Sequence, residues 1–86
     1  MRIVFTSNGW QDYMFWLSSD RMTLKRINRL LDDISRHPFE GMGKPEPLGY
    51  AFAGCWSRRI SDEHRLVYLV DADDIVILQA RYHYGK

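Results

Sequence analysis

All three prolines of this chain, and three of its six glycines, fall within residues 37–49. No helix interior tolerates that density, because proline lacks an amide hydrogen and fixes φ, while glycine loses the most backbone entropy on ordering. The tract therefore divides the chain into halves of different periodicity. Apolar residues before it recur at helical spacing, and β-branched and aromatic residues after it collect in short runs bounded by polar turns. Inside the tract, Pro45 and Pro47 bias Lys44 and Glu46 toward extended backbone, so Glu46 is expected on a stiffened loop.

In the first half, residues 2–5 read as a short strand and Thr6 or Ser7 offers a hydroxyl to cap a helix beginning near Asn8. Trp10, Tyr13, Met14 and Leu17 stand at i, i+3, i+4 and i+7, which predicts that this face of the helix is core. Asp20 can cap a second helix over residues 21–35, with Leu24, Ile27, Leu31 and Ile34 as its apolar stripe and Leu30 widening it. Arg21, Lys25 and Arg29 are four apart and share a flank away from that stripe, either a solvated face or one that meets an RNA backbone.

The second half predicts strands over residues 50–53, 55–60, 65–71 and 75–84. Their short connections favour antiparallel hairpins, so the expected class is α+β: an N-terminal strand and two helices packed on an antiparallel sheet, in one domain of 86 residues. With 45% hydrophobic residues such a domain folds without staples, and its one cysteine, Cys55, cannot form an internal disulfide. No zinc or iron-sulfur spacing occurs, so no metal or cofactor is expected. The apolar run at residues 3–5 is too short for a signal or membrane segment, and the expected setting is the cytoplasm. A net charge of +1 rules out recognition of nucleic acid by bulk charge and confines any such face to a local patch.

Strand parity puts Gln79, Arg81 and His83 on one side of the last predicted strand. A five-residue connection would set Arg59 opposite Arg65 on one face; a connection two residues tighter would separate them. Facing cations repel unless an anion lies between them, so the pair points either to a phosphate or to nearby acids. Glu46, His83 and these arginines form a sufficient set for RNA cleavage without a metal. The carboxylate can take the proton of a ribose 2′-hydroxyl, the imidazole can protonate the departing 5′-oxygen, and the guanidinium can stabilise the charged phosphorus centre.

Five segments carry a resemblance: Pro38-Phe39-Glu40-Gly41, Gly43-Lys44-Pro45-Glu46-Pro47-Leu48, Gly54-Cys55-Trp56-Ser57-Arg58-Arg59-Ile60, Glu63-His64-Arg65-Leu66-Val67-Tyr68 and Arg81-Tyr82-His83-Tyr84. Together they resemble the YoeB toxins of the RelE superfamily over almost the whole chain. The resemblance implies a RelE-like, microbial-ribonuclease-like fold and a ribosome-dependent mRNA interferase that cuts in the A site. It also implies a YefM-like antitoxin and a homodimer. Carried over by residue, it makes Glu46 the general base, His83 the general acid, and Arg65 and Arg59 the phosphate contacts, with Lys44 and Tyr84 as further substrate contacts. On this reading Arg21, Lys25 and Arg29 touch the ribosome. Met42 and Gly49 stand where some members carry lysine, which lowers the local positive charge. Two other functions stay open from sequence: a ParE-like toxin that poisons gyrase, and a non-catalytic module that binds an antitoxin.

Overall fold

Thr6 opens helix α1 (Ser7–Ser19) by accepting the Gly9 amide, and Asp20 opens α2 (Arg21–Arg36) by accepting the amides of Met22 and Thr23. A cap of this kind is worth about 1 kcal/mol. The computed structural model of the chain describes residues 1–83. Beside the helices, the described residues hold five strands: β1 (Arg2–Phe5), β2 (Glu46–Pro47), β3 (Cys55–Arg59), β4 (Arg65–Asp71) and β5 (Asp74–Gln79). They form one sheet in the order β1-β5-β4-β3-β2, antiparallel except where β1 joins β5 in parallel. The N-terminal strand thus belongs to the sheet rather than to the helical layer. No helix among the described residues is long and apolar enough to cross a membrane.

Helix α2 supplies the stripe its periodicity predicts, since Ile27, Leu30, Leu31 and Ile34 are buried. They pack with Leu66, Tyr68, Ile75, Ile77 and Ala80 of the sheet side and with Trp16 of α1. Helix α1 departs from its pattern. Trp10, Met14 and Leu17 are exposed, and the buried face carries Gly9 and Trp16. The cause is close approach: a Cβ at Gly9 would lie 2.2 Å from the Ile77 carbonyl oxygen, so only glycine lets the helix rest on β5. The same face reaches the end of that strand, where Asp12 accepts the Ala80 amide at 3.0 Å and Trp16 Nε1 donates to the Ala80 carbonyl at 2.8 Å.

Those two bonds also explain why β5 stops at Gln79 instead of running on to residue 84. Both backbone groups of Ala80 go to helix side chains, so no ladder continues. The predicted shared side for Gln79, Arg81 and His83 is therefore lost, and Arg81 stacks its guanidinium 3.5 Å from the Phe15 ring centroid. A bulge precedes the strand end: Val67 pairs with Gln79 but Tyr68 with Ile77, which leaves Leu78 extra. Asn8 Nδ2 donates to the Leu78 carbonyl at 3.1 Å. The extra residue turns Gln79 to the face away from the helices.

Residues 50–53 are not a strand. Leu48 donates to the Cys55 carbonyl at 2.9 Å, which ends the β2–β3 ladder, and the chain turns through a 3-10 helix at Tyr50–Phe52. Tyr50 itself adopts a positive φ of 54°, outside strand geometry.

Candidate active site

Glu46 lies on an edge strand rather than in the loop expected for it, because the two flanking prolines extend the backbone enough for β2 to pair with β3. Its register partner is Ser57, which in turn pairs with Val67. On this helix-free face Ser57 and Val67 are buried and form a floor, with Glu46 standing at its edge. Two residues along, Arg59 pairs with Arg65, the register that the five-residue connection predicts. Lys44, Glu46, Ser57, Arg59 and Arg65 line a single hollow.

The approach to that hollow is built by Gly43. Its φ of 81° and its fit against Leu30, Arg58 and the Arg59 carbonyl exclude a side chain, and its carbonyl accepts the Arg59 amide at 2.6 Å. On the far side of Arg59, Arg26 of α2 donates to the Arg59 carbonyl at 2.9 Å. Arg65 Nη1 donates to the carbonyls of Ser61 at 2.5 Å, His64 at 3.1 Å and Asp62 at 3.3 Å, which holds the guanidinium over the β3–β4 turn. Among the described residues the ion pairs are Arg2–Asp74, Arg36–Asp32 and Arg58–Asp33; Arg59 and Arg65 belong to none of them. The acids that could have neutralised the facing arginines do not do so.

His83 lines a neighbouring hollow with Asp62, Glu63 and Tyr82. One residue from each hollow reaches the same atom, since His83 Nε2 and Arg65 Nη1 each lie 3.3 Å from the Asp62 carbonyl oxygen. A carbonyl can only accept, so a hydrogen bond here puts a proton on Nε2, the state in which the ring can donate. The structure thus gathers Lys44, Glu46, Arg59 and Arg65, with His83 adjoining. Tyr84 lies outside the described residues. Arg21, Lys25 and Arg29 are exposed on α2 and do not line these hollows. No group of three or more His, Cys, Asp or Glu side chains among the described residues could hold a metal ion.

Sequence reasoning passed over Arg58, although its place between Trp56 and Ile60 gave the signal by parity. Arg58 is fully buried on the helix side, where its guanidinium meets Asp33 at 2.5 Å. It also donates to Tyr68 Oη at 3.1 Å, to the Met42 carbonyl at 3.1 Å, to the Glu40 carbonyl at 2.9 Å and to the His37 carbonyl. Tyr68 completes the latch by donating to the Pro38 carbonyl at 2.7 Å. The Arg58 guanidinium, then the Met42 amide, hold the Asp33 carboxyl below the usual carboxylate range, while burial raises the Tyr68 phenol.

Two helices on one face of a five-stranded sheet, with a cationic hollow holding a single carboxylate on the other, define a small α+β protein whose cleft suits an anionic ligand. A sequence profile of the YoeB-like toxins of bacterial type II toxin-antitoxin systems matches residues 5–84. Toxin YoeB of Streptomyces coelicolor is 63% identical over 98% of this chain and 100% of its own. A YoeB/ParE toxin structure from Agrobacterium tumefaciens superposes with a TM-score of 0.95 at 45% identity, covering 98% of this chain and 100% of that one. From Staphylococcus aureus, a YoeB-YefM complex (TM-score 0.90, 42% identity) and a YoeB dimer (0.91, 44%) each cover 98% of both chains. The chain belongs to the YoeB-like toxin family.

Proposed function

We propose that this protein is a ribosome-dependent endoribonuclease that cleaves mRNA in the ribosomal A site and so stops translation. The observation that carries the reading is the facing pair Arg59 and Arg65, unneutralised by any acid among the described residues and sharing its hollow with Glu46. Two cations in register favour an anion between them, and a phosphodiester supplies one. Glu46 takes the proton of the 2′-hydroxyl, which attacks phosphorus; Arg65 and Arg59 stabilise the added negative charge; His83 protonates the departing 5′-oxygen. Lys44 and Tyr84 contact the substrate. The chain itself supplies the base, the acid and the cations that the chemical step uses, with no metal required.

The products identify the reaction. Primer extension and end-group analysis of a translated message should show a 5′-hydroxyl downstream and a 2′,3′-cyclic phosphate, or its hydrolysed 3′-phosphate, upstream. A 5′-phosphate downstream overturns the mechanism, and an uncut message with arrested gyrase would transfer the chain to the gyrase-poisoning alternative.

Arg21, Lys25 and Arg29 serve ribosome affinity on this reading, as backbone contacts that position without reacting. Replacing all three by alanine should weaken ribosome association and flatten its salt dependence, while toxin at saturation still cuts. Loss of cutting at saturation, with the fold intact, would move that face into the active site.

The Staphylococcus aureus relative is described in complex with YefM and as a dimer. We extend both to this chain: a homodimer silenced by a YefM-like antitoxin whose acidic C-terminal segment covers Glu46 and Arg65. Co-expression with the neighbouring small open reading frame should rescue growth and yield a co-purifying complex of two toxin copies. Persistent toxicity with no co-purification counts against the pairing.

A further inference from the structure

We propose that His64 is a positioning residue that locks the chain turn from which His83 is presented to the cleft. The inference rests on the reading of His83 as general acid. After β5 the chain bends at Tyr82, whose φ of 63° is a left-handed conformation that a bulky aromatic residue holds only when its surroundings impose it. The surroundings are on hand. The Tyr82 amide donates to His64 Nδ1 at 2.7 Å, and the Tyr82 carbonyl accepts the Arg65 amide at 3.0 Å. His64, the last residue of the β3–β4 turn, and Arg65, the first of β4, thus take both backbone groups of Tyr82.

Gln79 adds a second hold. Its carboxamide nitrogen lies 2.8 Å from the Arg81 carbonyl, 3.2 Å from that of Tyr82 and 3.0 Å from that of His83. The β4–β5 bulge is what turns Gln79 to this side. The His64 ring is in turn braced: its centroid is 4.9 Å from the Trp16 ring, edge to face, and 5.5 Å from the Tyr82 ring. An imidazole accepts through Nδ1 only in the neutral tautomer with its proton on Nε2, so the bond also fixes the His64 tautomer. Neighbouring Arg65 binds the same Asp62 carbonyl that His83 approaches, so one short turn sets two groups of the proposed mechanism relative to each other.

The test separates the ring from its acceptor atom. His64→Phe keeps an aromatic against Trp16 and Tyr82 but accepts no hydrogen bond, whereas His64→Asn puts an amide oxygen near the place of Nδ1. Single-turnover cleavage on saturating ribosomes and hydrogen exchange of the Tyr82 amide are measured for both, beside His83→Gln. His64→Phe should cut about ten- to a hundredfold more slowly with unchanged ribosome affinity and a faster-exchanging Tyr82 amide, the scale on which small misplacements of reacting groups act. His64→Asn should recover most of both. A wild-type rate for His64→Phe while His83→Gln is slow overturns the inference, as does equal slowing in His64→Phe and His64→Asn. A wild-type rate for His83→Gln overturns the acid assignment instead; the inference then stands or falls on Tyr82 exchange, and unchanged exchange in His64→Phe overturns it. Should His64→Phe not fold, His64→Gln, whose acceptor sits one bond further out, takes its place.

Discussion

Arg58→Met is expected to lower the stability of the domain by about 3–5 kcal/mol, the range for breaking a buried ion pair from one side. Methionine fits the space but leaves the Asp33 carboxylate without its main partner and strands carbonyls of His37, Glu40 and Met42 that the guanidinium now satisfies. Small domains rarely exceed about 5–15 kcal/mol in total, so much of the chain would be unfolded in mild denaturant. Urea titration at fixed pH checks this, and a loss under about 1 kcal/mol would show the latch to be ornamental. The pair also predicts an acid limb. Because the folded Asp33 carboxyl is held below its usual value, its contribution is present above the ordinary carboxylate range and disappears as pH falls from there through the lowered folded value. Asp33→Asn should be less stable near neutrality and flatter than wild type in that acid window. A steeper acid limb in Asp33→Asn would overturn the assignment.

A single 2′-deoxynucleotide placed just 5′ of the scissile phosphate should abolish cutting altogether. On the proposed mechanism the nucleophile belongs to the substrate, so its removal leaves the site intact with nothing to attack. The loss should exceed that of Arg65→Ala, which deletes one contact to the transition state at a cost of about a hundredfold or more. Comparing the two separates chemistry from binding. Both should retain A-site occupancy, measured by competition for ribosomes. Normal cleavage of the deoxy-substituted message would require a nucleophile other than the 2′-hydroxyl and would end this mechanism.

Local signals reached a good part of this architecture. Thr6 and Asp20 announce the two helices through side-chain oxygens, and β4 carries its own bounds in its apolar run. Arg59 meets Arg65 because the length of one turn sets the register of one hairpin. What escaped was decided by distant partners. Periodicity assigns no weight to a glycine or an aspartate, yet Gly9 and Asp12 select the buried face of α1 and leave Trp10 outside. The end of β5 depends on Trp16 and Asp12 capturing Ala80, a contact across 64 and 68 residues. Arg58 drew no expectation, because its role depends on Asp33 of the second helix, 25 positions away in sequence. In the cleft, residue types and hairpin register were visible, whereas the convergence of Arg65 and His83 on the Asp62 carbonyl depends on a terminal turn that no local pattern encodes.

The parallel pairing of β1 with β5 also governs when this protein can come into being. Residues 2–5 lie beside residues 74–77, so β1 waits for a strand synthesised long after it, Asp74 lying 72 positions beyond its partner Arg2. Contacts of such long sequence separation form late, because the closure entropy precedes any reward from pairing. His83 lies four residues beyond the end of β5. A nascent chain whose residues 74–77 are still inside the ribosome therefore holds neither a closed sheet nor a complete cleft, and the machine that translates this message is not exposed to a working product while those residues remain within it.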